Sequence, residues 1–246
     1  MLFFKKLLNF YINSSIHVGF AIFCLVKIAN PTSSDYALMV FFGALFSYNF
    51  LKYKHLLQKR TFKIVKLHKI LIVSVVAFFY YCFLYYLQTS NTQIRLALAG
   101  ILVFFYPFVR KTGWLKVFYV SFVVGFVTLF IPLQSHPNIG TLFLYRFLVL
   151  SVLILPFEII DIKNDPMNLN TIPQLVGIST TKKIGYFLLI LSYIVVLCNS
   201  DIFDFKIHTI ISLIIFVSLY FSSLERSKYY SSFWVESVPI IWWLMT

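Results

Sequence analysis

The stretch "DIKNDPMNLNTIPQLVG", residues 161–177, follows one of the most hydrophobic segments of the chain. The chain has only eight Asp and Glu residues, yet Glu158, Asp161 and Asp165 all fall where this segment ends. They stand at positions i, i+3 and i+7, so they share one face if the helix continues that far. Carboxylates gathered at a bilayer edge repel one another and are costly there, which predicts that they hold a cation.

Composition predicts that this acidic segment belongs to an all-α integral membrane protein. Apolar residues make up 60% of the 246 residues and charged residues only 12%, which is far from the makeup of a soluble domain. Apolar stretches of roughly 16 to 20 residues, about the length that crosses a bilayer, recur along the chain. In lipid such stretches can only be helices. We predict a single polytopic membrane domain over residues 1–246, a bundle of about nine transmembrane helices around a central cavity, with spans near 15–29, 36–51, 70–87, 94–109, 114–132, 141–157, 183–199, 208–222 and 232–246.

The net charge of +13 is unevenly distributed among the loops of this bundle. Basic residues concentrate in every second loop, above all in "LKYKHLLQKRTFKIVKLHK", residues 51–69. This distribution follows the positive-inside rule and places the amino terminus in the cytoplasm and the carboxyl terminus outside. We therefore expect a multi-pass protein of the cell's inner membrane. Topology and anionic lipid account for the basic residues, so no nucleic-acid partner is expected.

The spacing of the acidic residues favours magnesium as the cation. Mg²⁺ prefers hard oxygen ligands, keeps several waters and is commonly shared with the phosphates of a substrate. Glu158, Asp161 and Asp165 are therefore candidate metal ligands. A plainer interpretation stays open, in which the two aspartates only form ion pairs within a solvated loop, with Lys163, Lys182 or Lys183 as partners.

The neighbouring predicted span ends in "FYPFVRK", residues 105–111. Its two basic residues could bind the phosphate oxygens of a diphosphate that the cation holds from the other side. Arg110 offers a planar bidentate fork and Lys111 a point charge. Pro107 before them, and Pro166 after the acidic residues, are expected to break their helices, so that backbone groups turn toward a cavity.

These two stretches resemble motifs of the UbiA-type membrane prenyltransferase superfamily. The second aspartate-rich motif of that family reads D-x-x-x-D, then T-[LIV]-P, then a glycine, and the matching residues here are Asp161, Asp165, Thr171, Ile172, Pro173 and Gly177. "FYPFVRKTGW" is similar to the family's Y-P-x-x-K-R element, with Tyr106, Pro107, Arg110 and Lys111 at the matching places.

The resemblance implies a reaction and a set of ligands. Family members bind a polyprenyl diphosphate through Mg²⁺, ionise its allylic C–O bond and alkylate a lipophilic acceptor, usually an aromatic ring or a quinone precursor. Asp161 and Asp165 would then be the catalytic, metal-holding residues. The expected contacts to the diphosphate come from Tyr106, Arg110, Lys111 and Lys163.

The first aspartate-rich motif of the family, N-x-x-x-D-x-x-x-D, is degenerate in this chain. Asn49 matches its asparagine, but Tyr53 and Leu57 stand where the aspartates are expected. Lys52 lies close to Asn49, and its ammonium could pair with the diphosphate directly. We therefore expect Asn49 and Lys52 to contact the diphosphate. The alternative is a catalytically impaired relative that binds polyprenyl lipid or serves as a membrane partner protein.

Three charged residues inside or near predicted spans complete the candidates. Glu236 falls within the last span, where an acid is a functional candidate by default. It could instead sit near the inner boundary and pair with Arg226 or Lys228. Arg146 and Lys27 lie near the outer ends of their spans, and we expect both side chains to snorkel toward the lipid headgroups.

Overall fold

The structure is a computed structural model that describes residues 2–58, 64–166 and 169–246. Within these residues the chain is helical and contains no β-strand, as an all-α membrane protein requires. The α-helices are α1 Leu2–Asn13, α2 Ile16–Ala29, α3 Ser34–Gln58, α4 Ile64–Tyr86, α5 Ser90–Val109, α6 Leu115–Gly125, α7 Ile139–Asp161, α8 Ile172–Cys198, α9 Phe205–Tyr220 and α10 Val238–Met245. A 3₁₀ turn, Arg110–Thr112, follows α5, and π-helical segments cover Phe126–Phe130 and Tyr230–Val235.

Four of these helices are long and apolar enough to cross a membrane within the described parts of the chain, namely His68–Tyr86, Ser90–Thr112, Ile139–Asp161 and Ile172–Cys198. A fifth span arises if the bent pair Phe4–Asn13 and Ile16–Ala29 is taken as one. The pair bends by 61° where Ser15 adopts the left-handed conformation, with φ 59°. The apolar helices 115–130 and 205–220 are shorter. The chain is thus a multi-pass membrane protein, and the count of nine spans stays a prediction.

Helix α7 forms the interior of the bundle. In its most apolar window 72% of the residues are buried, against 11% for the corresponding windows of α4 and α5, which therefore face the lipid. Helix α7 packs against α6, α8 and α9, while α2 packs against α3 and α10. Val149, Val152 and Ile159 of α7 are fully buried in the main core. The acidic segment therefore leaves the bundle from its central helix.

Candidate functional site

The loop after α5 and the loop after α7 are held against each other by a glycine. Gly113 has φ 59°, and a Cβ added there would lie 1.9 Å from the carbonyl oxygen of Leu169. The second loop is closed by its own hydrogen bonds, since Gln174 donates from Nε2 to the carbonyl oxygen of Pro166 at 3.0 Å and accepts at Oε1 from the N–H of Thr171 at 3.1 Å. The sequence motifs "RKTG" and "NTIPQ" thus build one platform from two loops.

This platform places Asp161 and Asp165 in a single turn at the end of α7. The backbone N–H of Asp165 donates to the carbonyl oxygen of Asp161 at 2.9 Å. The Asp165 side chain is only 10% exposed, and its Oδ1 lies 3.8 Å from Nη2 of Arg110. Its other oxygen, Oδ2, is buried and has no hydrogen-bond partner. A buried carboxylate oxygen without a donor marks a place for a ligand that is positively charged or donates a proton.

Glu158 has a different partner from the one its spacing suggested. Its Oε1 lies 2.7 Å from Nζ of Lys116, and both side chains are buried. Lys116 did not enter the sequence-based predictions, although a lysine inside the apolar run that begins at Leu115 is a functional signal in a membrane protein. Among the described residues no three His, Cys, Asp or Glu side chains gather closely enough to share one ion. Glu158 therefore belongs to an ion pair beside the aspartates.

Tyr106 is the tyrosine of the Y-P-x-x-K-R element and lies near these charges. From α5 it lies within electrostatic range of Lys116, Arg110, Glu158 and Asp165. A phenol in this position can donate a hydrogen bond to an anion bound among the cations. The structure therefore brings the Y-P-x-x-K-R element and the aspartate motif together at one place.

Side chains from α3 and the carboxyl-terminal segment lie within electrostatic range of the platform. Asp161 lies within this range of Lys228, and Lys228 in turn of Lys52 on α3. Glu236 lies within range of Lys52 and Tyr48, and Tyr48 within range of Tyr106.

Asn49 is a buried residue that contacts the bend between α1 and α2, and helix α4, rather than the platform. It is 2% exposed, and its Nδ2 donates to the carbonyl oxygen of Ser14 at 2.9 Å and to Oγ of Ser74 at 3.0 Å. Tyr53, one turn later, donates to the carbonyl oxygen of Asn13 at 2.7 Å. These contacts hold the bend between α1 and α2 against α3. The remnant of the first motif therefore contributes to packing in this structure.

Lys111 and Lys163 lie at the surface near the platform. Lys111 is exposed, with Nζ 5.9 Å from the ring centre of Phe108. Lys163 is exposed in the turn between Asp161 and Asp165. Neither lysine forms an ion pair with a described carboxylate, so the plainer interpretation, in which the aspartates only pair with nearby lysines, finds no support at Lys163.

Comparison with solved structures identifies the fold. A UbiA homologue from Aeropyrum pernix K1, solved in its apo form, superposes with a TM-score of 0.66 at 17% identity, covering 93% of this chain and 94% of that one. The fold is UbiA-like. A structure described as that of digeranylgeranylglyceryl phosphate synthase matches this UbiA-like fold with a TM-score of 0.61 at 14% identity, covering 98% of both chains. No family model matches the sequence, and no curated protein matches it.

Proposed function

We propose that the chain is a membrane prenyltransferase that uses Mg²⁺ to transfer an isoprenyl group from a polyprenyl diphosphate to a lipophilic aromatic or quinone-precursor acceptor. The observation that carries the proposal is the buried, unpartnered Oδ2 of Asp165, which lies beside Arg110 in a UbiA-like fold. This arrangement offers a cation and a diphosphate adjacent places.

The residues of the platform fit a magnesium ion. Asp161 and Asp165 supply two carboxylates in one turn, and Mg²⁺ commonly takes one or two carboxylates and completes its octahedron with waters and substrate phosphate. When bound, Mg²⁺ supplies positive charge that stabilises a departing diphosphate. Glu158 uses Oε1 for its ion pair with Lys116, while its Oε2 is buried without a hydrogen-bond partner, so it remains a candidate ligand beside the two aspartates.

Protein side chains supply the other proposed contacts to the diphosphate of the donor. Arg110 is half exposed and only loosely paired with Asp165, so its guanidinium can turn a bidentate face to phosphate oxygens. Tyr106 can donate to the same anion.

The predicted contact from Lys52 has no support in the geometry, because Lys52 is exposed and its Nζ lies 3.5 Å from the carbonyl oxygen of Asn13, the oxygen that also accepts from Tyr53. Lys111 and Lys163 provide positive potential at the mouth of the site, which attracts the anionic donor.

The test is transfer of a labelled isoprenyl group by the purified full-length protein in nanodiscs. Asp161→Asn and Asp165→Asn should each lower transfer by about 100-fold or more, since charge stabilisation in such a site is worth that much. Both should also remove Mg²⁺-dependent binding of a non-reactive thiodiphosphate analogue of the donor. Asp35→Asn is the matched control, because Asp35 is exposed at the start of α3.

A second candidate is a non-catalytic relative that binds polyprenyl lipid or serves as a membrane partner protein. Two observations favour it. The first motif has no carboxylate in the sequence, and its Asn49 and Tyr53 form packing contacts in the structure. Binding of the donor analogue without turnover of any donor and acceptor pair would support this candidate. Donor binding that is identical with and without Mg²⁺ would also favour it.

We further propose that the protein lies in the inner membrane of the cell. The platform then faces the cytoplasm. The support is the charge of the loops at that end of the bundle, which carry Arg110, Lys111 and Lys163.

A further inference from the structure

Lys182 of α8 and Arg226 of the loop after α9 are two cations that the proposed diphosphate site does not use. They lie at the same end of the bundle, because α8 starts beside the platform and α9 packs against α8 and runs back toward it. In the described structure neither cation forms an ion pair with a carboxylate, so the alternative pairing of Glu236 with Arg226 or Lys228 is not realised. Unpaired cations at the end of a membrane bundle are placed to meet the phosphates of lipid headgroups.

Close packing of α8 on α9 places Lys182 beside the last turn of α9. A Cβ added to Gly185 would lie 2.4 Å from Cδ2 of Leu219, so the two helices lie close together at this point. Lys182 precedes Gly185 by one helical turn and reaches across to α9. Its Nζ donates to the carbonyl oxygen of Tyr220 at 2.7 Å. The ammonium is thus fixed at the carboxyl end of α9.

Arg226 reaches the same turn from the following loop. Its Nε donates to the carbonyl oxygen of Phe221 at 3.0 Å. The guanidinium lies 5.3 Å from the ring centre of Tyr230 and 5.9 Å from that of Phe221. Tyr230 is itself held in place, since its hydroxyl donates to the carbonyl oxygen of Ser218 at 2.7 Å. Two cations from different segments therefore sit on consecutive carbonyl oxygens of one turn.

Capping the end of α9 does not use up the hydrogen-bonding capacity of these cations. Carbonyls at a helix end lack partners within the helix, and a nearby cation stabilises them. Each side chain spends one donor on its carbonyl, so the other ammonium N–H groups and both Nη atoms stay free for an anion. Lys183 and Lys228, close by in sequence, are exposed and add positive charge, while Glu225 is the one acid of the loop 221–229.

A row of aromatic rings extends from the two cations along α9. The ring centres of Tyr186 and Phe216 are 5.0 Å apart, those of Phe216 and Tyr220 are 6.3 Å apart, and those of Tyr220 and Phe221 are 5.1 Å apart. Phe216, Tyr220 and Phe221 are exposed on the surface of the bundle. Such rings are favourable where the bilayer meets water, and acyl chains can lie against them. The cations thus lie at the headgroup end of a surface suited to lipid chains.

We propose that this surface, the basic–aromatic patch, binds an anionic phospholipid of the phosphatidylglycerol type. The patch consists of Lys182, Tyr186, Phe216, Tyr220, Phe221 and Arg226. The lipid phosphate accepts hydrogen bonds from the ammonium and from the planar guanidinium, and its acyl chains run along the aromatic row. A zwitterionic lipid brings its own positive charge toward these cations, so it binds more weakly.

The binding experiment uses the purified full-length protein in dodecyl maltoside micelles. Dioleoylphosphatidylglycerol and dioleoylphosphatidylcholine, which share their acyl chains and differ in headgroup charge, are added in equal amounts. Native mass spectrometry counts the lipids that stay bound. We expect the wild type to retain the anionic lipid at least about tenfold more than the zwitterionic one, because two cations act on its headgroup. The measurement needs no turnover, so it does not depend on the proposed transfer.

Substitutions at the two cations should remove this preference. Lys182→Gln and Arg226→Gln should each weaken binding of the anionic lipid about fivefold, the usual contribution of one basic side chain at a membrane surface. The double variant should bind both lipids alike. Arg226→Lys should recover only part of the affinity, since an ammonium cannot form the two parallel hydrogen bonds of a guanidinium.

Lys206→Gln is the matched control, because Lys206 is exposed at the opposite end of the same helix. It removes the same charge and should leave lipid retention at the wild-type level. Thermal unfolding without added lipid shows whether each variant is folded. All these substitutions change exposed or half-buried side chains, so their midpoints should stay close to that of the wild type.

Four results would overturn the basic–aromatic patch as a lipid site. The wild type could retain both lipids equally, or the double variant could keep the preference for the anionic lipid. Glycerol phosphate could displace the bound lipid at equal concentration, which would make the patch a site for soluble phosphates. Farnesyl thiodiphosphate with Mg²⁺ could displace it as well, which would make the patch part of the donor site.

Discussion

Gly113 lies so close to the backbone of Leu169 that the two site loops fit together only without a side chain at this position. The N–H of Lys116 also donates to the carbonyl oxygen of Gly113 at 3.1 Å, so the same glycine begins the helix that carries the partner of Glu158. One residue thus sets the spacing between the guanidinium side and the carboxylate side of the platform.

Gly113→Ala should therefore separate the two loops. The backbone of Gly113, with φ 59° and ψ −78°, lies outside the left-handed helical region and costs a residue with a Cβ about 1 to 3 kcal/mol. The contact with Leu169 also forces the loops apart. We expect the variant to remain folded, with a lower midpoint of thermal unfolding and at least about tenfold weaker binding of a donor analogue.

Gly140→Ala is the matched control for that experiment. Gly140 lies near the start of α7, and nothing within 4 Å would meet its added Cβ. It should leave donor binding unchanged and raise helix propensity slightly. Equal donor affinity of the Gly113→Ala protein and the wild type would show that the loops do not depend on this contact.

A double-mutant cycle should measure the interaction free energy between Lys116 and Glu158. Removing one partner of a buried ion pair leaves an uncompensated charge and typically costs about 3 to 5 kcal/mol. Lys116→Met and Glu158→Leu should each lower the free energy of unfolding by that order, and the double variant should lose much less than their sum. Chemical denaturation in detergent micelles measures all three.

Lys206→Met provides the control for this cycle, because Lys206 is exposed and forms no ion pair in the described structure. Lys206→Met should change the free energy of unfolding by no more than about 0.5 kcal/mol. Additive losses in the double variant would mean that the two charges do not stabilise each other.

The acidic motif and its basic counterpart could be identified from the sequence because both are local patterns. Asp161, Asp165 and Arg110 stand at fixed spacings beside helix-ending residues, and the structure brings Arg110 and Asp165 within 3.8 Å. The fold class follows from composition in the same way, since a chain this apolar can only form helices in lipid.

The orientation of single side chains around a span could not be predicted. Helix α7 is apolar on all sides, so no periodicity shows which face turns inward. The expectation that Arg146 snorkels was wrong for this reason, because it is 2% exposed in the interior. Lys27, by contrast, donates to the carbonyl oxygen of Pro31 and to Oγ of Ser34, as expected near a span end.

Substitutions at Arg146 distinguish the contribution of the planar guanidinium from that of its positive charge. Its Nη1 donates to the carbonyl oxygen of Leu25 at 3.0 Å, and its guanidinium lies 5.0 Å from the ring centre of Trp242. Lysine would keep the buried charge but lose the planar stacking. Arg146→Lys should therefore be about 1 to 2 kcal/mol less stable than Arg146→Met.

Chemical denaturation of the two Arg146 variants, side by side, checks this order. Arg95, a half-buried residue of lipid-facing α5, is the comparison site. There the lysine and methionine variants should differ by less than about 0.5 kcal/mol. An Arg146→Met protein that is less stable than Arg146→Lys would show that the positive charge itself, and not the flat guanidinium, holds α7 against α2 and α10.

The proposed orientation predicts which loops a membrane-impermeant maleimide can reach. In a background without the three native cysteines, Lys163→Cys should stay unlabelled in intact cells and react after the membrane is opened, because the positive-inside rule places this basic end in the cytoplasm. His136→Cys, in the loop before α7 at the opposite end, should react in intact cells. Labelling is read as a mass shift on a gel. The reverse pattern would place the diphosphate platform on the outside, where neither a cytosolic diphosphate donor nor cytosolic Mg²⁺ reaches it.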